Sequence, residues 1–442
     1  MEMSIDQLKS NLEEAIVQTD TIKIFDNLLT IAVEMWASDV HIEPFENYSR
    51  VRIRVDGVLQ ELIQYPKNIQ ESVIAKFKIE SGQMRPDEKR LPQDARVSTA
   101  TLTNKEIDLR ANTLPTVWWE KLVMRIVDKS KKVPPIDVMG IEWTNNEILY
   151  KKIVLPNWII LTTWPTGSGK STTLYAALNY VNTIDQNITT YEDPVENKAD
   201  WLNQSQVRSD IWYTFAQWLR AALRQDPDII MVWEIRDSET LETAMEAAMT
   251  WHLVFSTIHA NSAAETLTRI INMWAQPYMI SGTFNIVMAQ RLARTICPDC
   301  KQKINIKDQF PQYYSNAKKI LASIDKEVLK KELVKRWVNN EQWKMFAEEW
   351  YWLFWTWKDE SWDQKCNSCL GSWYKWRIGL YEILDFDDEI KNLLWKNKTA
   401  FEIEKVALDK WMMDLERDWI FKVLSWKTTL EEVYRLTKHR EI

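Results

Sequence analysis

Residues 158–181 read WIILTTWPTGSGKSTTLYAALNYV, and this stretch decides the fold of the chain. Its apolar start predicts a buried strand, its Gly-Ser-Gly centre a tight loop, and the run from Lys170 a helix. A strand, a glycine-rich loop and a helix in this order form a P-loop, whose backbone N–H groups cradle phosphates at a helix N-terminus. The motif predicts a nucleotide site; the alternative is a Gly/Ser turn ahead of an ordinary helix.

The P-loop pattern assigns a role to each part of the motif. Lys170 is expected to reach the β and γ phosphates of ATP, and Ser171 to hold Mg²⁺. One position departs from the pattern, because Trp164 stands where the motif begins with glycine. The predicted nucleotide-binding residues are Pro165, Thr166, Gly167, Ser168, Gly169, Lys170, Ser171 and Thr172.

Three further strands are predicted downstream of the P-loop, in ITTYED (188–193), DIIMVWE (228–234) and HLVFSTI (252–258). Helical segments separate them, which favours a mainly parallel sheet and an α/β fold. Glu234 ends the second of these apolar runs, where a carboxylate can orient or deprotonate an attacking water. Buried strands that end in an acid are common, so this position gains weight only beside the P-loop.

The residues before the P-loop predict a separate, smaller α/β domain. Apolar residues at helical spacing over 1–36 predict two short helices, and the alternation over 38–57 predicts two strands with Asp56-Gly57 at a turn. The predicted divisions are an N-terminal helical segment (1–20), an N-terminal α/β domain (21–128), a linker (129–135), an ATPase domain (136–290), a four-cysteine segment with an insert (291–376) and a helical C-terminal domain (377–442).

The four cysteines of the chain form two CxxC pairs, Cys297 with Cys300 and Cys366 with Cys369. Two such pairs can supply four thiolates to a tetrahedral Zn²⁺, and the alternative is four unrelated thiols. Composition excludes disordered and fibrous classes, at 45% hydrophobic and 27% charged residues. No apolar run is long enough to span a bilayer, which favours a cytoplasmic protein, and the net charge of −7 gives no general attraction to nucleic acid.

Four motifs in order resemble the motor ATPases of type II secretion and type IV pilus assembly. They are TGSGKSTT (166–173), similar to the Walker A loop; TTYEDPVE (189–196), to the aspartate box; RQDPDIIMVWEIRD (224–237), to the Walker B segment; and HLVFSTIHANSA (252–263), to the histidine box. ASDVHIEP, RVRIRVDG, LPQDARV and TLPTVWWEKLVMRI resemble the N-terminal domain of that family. CPDC and CNSCLGSWYKWRIGLYE resemble the zinc segment that assembly motors carry and retraction motors lack.

This resemblance implies a RecA-like ATPase domain and a role for each matched residue. Glu234 would be the hydrolytic base, Glu192 would help to position metal or water, and His259 and His252 would sense the γ-phosphate. A histidine on an apolar strand is often only a structural hydrogen-bonding group. The arginines implied to approach the phosphates are Arg110, Arg125, Arg220 and Arg224, for each of which a surface salt bridge is the alternative.

The resemblance also implies partners. The expected assembly is a cytoplasmic homohexamer that hydrolyses ATP and acts on an inner-membrane platform protein, through which pilin or pseudopilin subunits are moved. The chain would thus associate peripherally with the inner membrane, and no nucleic-acid partner is expected. A RecA-like nucleic-acid translocase and a nucleotide-regulated, non-catalytic scaffold are the alternatives, and the sequence does not distinguish secretion, pilus assembly and DNA uptake.

Tryptophan stands at many positions where the family pattern has glycine. The chain has 25 Trp and only 8 Gly, whereas glycine ordinarily makes up about 7% of a protein. Reading of UGA codons as Trp in place of Gly would produce such a string, and true replacement at so many sites is sterically unfavourable. Trp stands at family glycine positions at Trp36, Trp119, Trp158, Trp164, Trp212, Trp218, Trp233, Trp251, Trp274, Trp373, Trp376 and Trp426.

Overall fold

A computed structural model of the chain describes residues 4–128, 133–163, 169–195, 198–207, 214–309, 311, 315, 318, 352–356, 366, 369, 371–410 and 412–437. The chain divides into two compact units, Met1–Lys132 and Val133–Ile442. The sequence-predicted domain boundaries are finer than this division and remain a prediction.

The first unit is a six-stranded antiparallel sheet with three helices. Its helices are α1 (Ile5–Val17), α2 (Thr21–Glu34) and α3 (Lys67–Ser81); its strands are β1 (Ala37–Pro44), β2 (Tyr48–Val55), β3 (Val58–Pro66), β4 (Gln93–Ala100), β5 (Glu106–Pro115) and β6 (Glu120–Asp128). The strand order is β3-β2-β1-β6-β5-β4. The two predicted N-terminal helices and the first two predicted strands are confirmed.

Alternation in the strands of the first unit separates a buried face of the sheet from a polar one. Val51 and Ile53 of β2 are buried in one core with Leu28 of α2 and Phe77 of α3. The residues that alternate with them in β2 are Arg50, Arg52 and Arg54, which therefore lie on the opposite face. The helices thus cover one face of the sheet, and these charged side chains lie on the other.

The second unit is an α/β domain around a seven-stranded sheet. Its strands are β7 (Ile159–Thr163), β8 (Ile188–Glu192), β9 (Asn203–Gln206), β10 (Ile229–Val232), β11 (Leu253–Ile258), β12 (Phe284–Ile296) and β15 (Tyr374–Asp385). They pair in the order β15-β12-β7-β11-β10-β8-β9. All neighbours are parallel except β12 and β15, so the α/β fold with a mainly parallel sheet is confirmed.

Helices of the second unit follow most of its strands. They are α4 (Trp143–Ile153), α5 (Lys170–Val181), α6 (Phe215–Ala222), α7 (Ser238–Met249), α8 (Ala263–Asn272) and α9 (Pro277–Thr283), with a 3-10 turn at Ile136–Val138. After β15 come four more helices, Asp388–Trp395, Ala400–Asp409, Leu415–Leu424 and Leu430–Thr437. The core strands β7, β10 and β11 are buried at every residue, which explains why apolar residues dominate their sequences, with only Ser and Thr among them as polar types.

The C-terminal region differs from the predicted helical domain over 377–442. Its first part, Tyr374–Asp385, is strand β15, which pairs with β12 and joins the ATPase sheet. Tyr381, Ile383 and Leu384 lie in the same core as the P-loop strand β7. The C-terminal helices are therefore connected to that sheet by a strand that the sequence pattern did not separate from them.

A two-stranded ribbon connects the cysteine pairs. Strand β13 (Lys301–Asn305) directly follows Cys300 and pairs antiparallel with β14 (Trp352–Thr356); a short helix, α10 (Ile306–Gln309), follows β13. Since Lys301 pairs with Thr356, the ribbon brings the two ends of the insert together and explains how cysteines far apart in sequence meet.

Six of the tryptophans at family glycine positions have a positive φ. The values are 59° at Trp36, 73° at Trp251, 68° at Trp274, 68° at Trp373, 66° at Trp376 and 62° at Trp426. Bulky residues rarely adopt this left-handed region, whereas glycine does so readily.

Four of these tryptophans, Trp36, Trp251, Trp274 and Trp426, lie just past a helix C-cap, the position at which glycine most often ends a helix, and the last three share a further feature. The chain turns back there through bonds from the next residue, of which Lys427 N to Lys422 O, at 2.9 Å, is the shortest. The corresponding bonds after Trp251 and Trp274 are 3.3 and 3.4 Å long. This pattern is the Schellman motif, whose left-handed residue is usually glycine.

Candidate functional site

The candidate nucleotide site lies where β7 ends and α5 begins. Gly169 caps α5 with φ 84° and ψ 21°, and Lys170 is the first helical residue. The N–H groups of a helix N-terminus and its dipole favour a bound anion. Of the predicted nucleotide-binding residues, Gly169, Lys170, Ser171 and Thr172 are described here, whereas Pro165, Thr166, Gly167 and Ser168 lie outside the described residues.

Parallel strands bring the other predicted residues to the same edge of the sheet. Thr163 of β7 is in register with Ile258 of β11, and Val232 of β10 is in register with Tyr191 of β8. The carboxyl ends of parallel strands meet at one edge, where α/β folds bind their ligands. Glu192, Glu234 and His259, each at or just after a strand end, therefore lie on the edge from which α5 begins.

Glu234 is the centre of a charged cluster. Its side chain is buried, and Oε2 lies 2.9 Å from Nε2 of His259. Nε of Arg236 donates to the other oxygen, and Arg236 also pairs with Asp193 at 3.2 Å. The main chain of His259 is held in turn, since Arg269 donates to its carbonyl at 2.8 Å. A buried carboxylate with a fixed imidazole and guanidinium can hold a water for proton transfer.

Lys170 makes a contact that competes with phosphate binding. Its Nζ lies 4.8 Å from the centre of the Trp233 ring, and this tryptophan is buried. A cation over an indole face is attracted to it. The lysine expected to hold phosphates is therefore engaged by a side chain at a family glycine position.

Glu192 has a structural environment. It is fully buried, accepts 2.7 and 2.8 Å hydrogen bonds from Tyr175 and Thr190, and is 3.1 Å from Nε2 of Gln204. These contacts connect α5, β8 and β9 through one carboxylate. Its role in positioning metal or water stays a prediction, and the observed contacts make Glu192 a residue that holds these elements in place.

Three other predicted residues are not brought to Glu234 by the observed contacts. His252 precedes β11, at the opposite end from His259, roughly 20 Å away at the usual rise per residue. Its Nδ1 contacts Ala247 O at 3.0 Å, the structural role of a histidine beside a helix end. Arg220 pairs with the exposed Glu239 at 2.9 Å, and Arg224 makes no ion pair within the described parts of the chain.

Arg110 and Arg125 belong to the first unit, on the polar face of its sheet. They are directly opposite each other in the β5–β6 ladder, and Arg96 is opposite Arg110 in the β4–β5 ladder. All three line a cavity of about 570 Å³. Like charges in adjacent strands repel, and Arg125 is ion-paired to Asp39 at 3.3 Å. The row is suited to an anion, and contact with ATP phosphates stays a prediction.

The four cysteines form the candidate metal site. All four Sγ atoms lie within 4.8 Å of one another; Cys297 and Cys366 are 3.9 Å apart and Cys300 and Cys369 3.5 Å. Zn–S bonds of about 2.3 Å in a tetrahedron place sulfurs ~3.8 Å apart, so the cluster fits zinc. Burial raises the pKa of the Cys297 and Cys300 thiols, so a cation is needed to keep them as thiolates.

Sequence reasoning missed three charged residues of the Glu234 cluster: Arg236, Asp193 and Arg269. The signal for the first two was local, since Asp193 ends the predicted ITTYED strand beside Glu192 and Arg236 comes two residues after Glu234 at the end of the DIIMVWE strand. Arg269 lies on α8, and only tertiary packing brings its guanidinium to His259 O.

Comparison with known proteins gives a family match over nearly the whole chain. The family model described as "Type II/IV secretion system protein" matches residues 14–435. The type IV pilus assembly ATPase PilB of Pseudomonas aeruginosa is 37% identical over 439 residues, 97% of this chain and 70% of that protein. The type II secretion system protein E of Aeromonas hydrophila is 36% identical over 417 residues, 94% of this chain and 75% of that protein.

Solved structures share the fold. The X-ray structure of the Legionella pneumophila ATPase DotB has a TM-score of 0.63 at 20% identity and covers 94% of this chain and 95% of its own. The pilus retraction motor PilT with bound ADP has a TM-score of 0.57 at 23% identity, with 93% and 96% covered. Identities this low show the fold alone.

Proposed function

The chain belongs to the type II/IV secretion system protein family, and on that premise we propose that it is the ATP-hydrolysing motor of type IV pilus assembly or type II secretion. The chain is an ATP hydrolase. It works as a homohexamer in the cytoplasm, bound peripherally to the inner membrane through a platform protein, and it moves pilin or pseudopilin subunits indirectly.

One observation carries this proposal. The buried carboxylate of Glu234 contacts His259 and Arg236 at the sheet edge from which the α5 N-terminus begins. A phosphate held at Gly169 and Lys170 would thus share that edge with a residue able to activate water. Among the described helices, none is long and apolar enough to cross a bilayer.

ATP and Mg²⁺ are the proposed cofactors of hydrolysis, and Zn²⁺ that of the cysteine cluster. Ser171 is buried at the start of α5, where its hydroxyl would complete the Mg²⁺ shell. The zinc would hold together the two cysteine pairs beside the β13–β14 ribbon. It would thereby stabilise this segment, because structural zinc sites contribute folding free energy.

Glycine is proposed at the twelve family glycine positions of the protein that the organism makes. Positive φ at six of them supports this, as does the contact of Trp233 with Lys170. The chain with these twelve positions changed to glycine is called the glycine chain below. The chain with tryptophan should bind ATP weakly or misfold; equal nucleotide affinity of the two chains would refute this proposal.

Replacement of Glu234 by glutamine tests the catalytic proposal. In the glycine chain, Glu234→Gln should lower ATP turnover by about 100-fold or more, because glutamine does not accept the proton of water. Nucleotide affinity should change little. The matched control is Glu242→Gln on the exposed face of α7, which should leave turnover unchanged. Full turnover in the Glu234 variant would instead favour the non-catalytic scaffold.

The assembly and partner proposals need separate measurements. Mass photometry with Mg²⁺ and nucleotide should detect hexamers, and monomers alone would contradict the assembly. Retention on membranes that contain the platform protein, and loss of retention without it, should identify the docking partner. Stimulation of turnover by single-stranded DNA or RNA would favour the nucleic-acid translocase.

A further inference from the structure

Gln290 is a buried amide with no assigned role. It lies in β12, is 1% exposed, and neither its Oε1 nor its Nε2 has a hydrogen-bond partner among the residues that the structure describes. Most buried polar side-chain atoms in native proteins are paired, because an unpaired one loses its hydration without compensation. Two unpaired atoms on one side chain therefore call for an explanation.

The amide lies against the candidate nucleotide site. Ala289, the residue before Gln290, is in register with Thr163 at the end of β7. A Cβ atom built on Gly169 would lie 3.3 Å from Nε2 of Gln290 and 3.1 Å from Cδ1 of Leu292. The amide of Gln290 thus lies close to Gly169, the residue that caps α5 at the start of the predicted phosphate-binding helix.

The neighbouring strand confirms that α5 covers this part of the sheet. Tyr381 of β15 is directly opposite Gln290, and its hydroxyl lies 3.5 Å from Oγ1 of Thr173, one turn into α5. The amide of Gln290 is therefore enclosed between two strands and the first turn of α5. Backbone groups at that turn are among the polar groups near it, beside the hydroxyls of Tyr381 and Thr173, and a carboxamide can donate to one group and accept from another.

We propose that Gln290 is a positioning residue of the nucleotide site, whose carboxamide pairs with backbone groups at the N-terminal end of α5 when nucleotide is bound. This pairing holds the N–H groups of the helix start toward the phosphates. The inference rests on the proposed ATPase function and deepens it. Because the amide bonds are gained together with the ligand, they contribute to nucleotide affinity more than to the stability of the ligand-free fold.

Gln290→Met in the glycine chain separates this role from simple packing. Methionine has a similar length and fills the space without the amide atoms. The midpoint of urea unfolding without nucleotide should stay the same or rise, since an unpaired polar group is removed. Affinity for Mg-ADP by titration calorimetry should fall by about tenfold, the loss expected for one or two hydrogen bonds.

Controls distinguish the possible failures. Met288→Leu, at a buried position two residues earlier in β12, should change neither affinity nor the unfolding midpoint by much. Gln290→Leu is the second variant if the methionine variant does not fold. Unchanged affinity in a folded Gln290 variant overturns the inference alone, and so does loss of stability and affinity together, the result of a packing role. Absence of Mg-ADP binding by the glycine chain itself overturns both the inference and the proposed function.

Discussion

Replacement of Trp251, Trp274 and Trp426 by glycine should stabilise the second unit. These residues end three helices of that unit with φ of 73°, 68° and 62°. A residue with a Cβ atom lowers the stability of the fold by about 1–2 kcal/mol when its backbone is in the left-handed region. The greater backbone freedom of glycine in the unfolded chain offsets about 0.5–1 kcal/mol of that gain. The net gain is thus about 0.5–1 kcal/mol per site, or ~2 kcal/mol for the three sites together.

Loss of packing should not cancel this gain. Trp251 and Trp274 are 76% and 85% exposed, so their removal uncovers little apolar surface, whereas Trp426 is 50% exposed and loses more packing. The change in stability should therefore come mainly from the backbone. Trp426 is the least exposed of the three, so its replacement should give the smallest gain in stability.

Urea unfolding followed by far-UV circular dichroism measures the effect, because the change removes fluorescent indoles. The matched control is Trp395→Gly, an exposed tryptophan that is the last residue of a helix and is not among the residues with positive φ. Glycine should destabilise that helix, by up to about 1 kcal/mol. If the triple variant loses stability as the control does, positive φ is not the reason for glycine at these sites.

Three further predictions concern the nucleotide site, the zinc site and the first unit. Trp233→Gly should increase nucleotide affinity in a binding titration, because Lys170 Nζ is released from the indole ring; unchanged affinity would contradict this. Plasma mass spectrometry should find about one zinc per chain, lost in Cys369→Ser; a metal-free intact chain would refute the cysteine site. Burial opposes ionisation of Glu43, but hydrogen bonds led by that from Arg52 outweigh it and lower its pKa from 4.5 to about 2. Its carboxylate should therefore stabilise the fold above pH 4.5 and lose this effect as the pH falls toward about 2. The difference in unfolding free energy between the chain and its Glu43→Gln variant should shrink across that range.

Local rules predicted the parts of the site that depend on a few consecutive residues. The P-loop strand, the helix from Lys170 and the acid at Glu234 follow from apolar runs and glycine spacing. The left-handed backbone at six tryptophans follows from the family glycine pattern. Each of these features depends on local backbone conformation or on strand order, and nearby residues largely determine both.

Side-chain partners were predicted less well. His259 and His252 belong to one motif, yet His259 contacts Glu234 whereas His252 contacts a helix end at the other end of β11. Glu192 lies at a strand end much as Glu234 does, but its carboxylate accepts a hydrogen bond from Tyr175. Sequence spacing gives the end of a strand, and it does not give what packs against that end.

The sequence by itself determined the α/β class, the helix that begins at Lys170 and the two cysteine pairs, because hydrophobic periodicity and backbone sterics act over short stretches. Only the tertiary structure decided that β15 joins the ATPase sheet, that Arg236 reaches Glu234, and that Gln290 lies against Gly169. These contacts join elements far apart in the chain, and burial selects them once the whole core is packed.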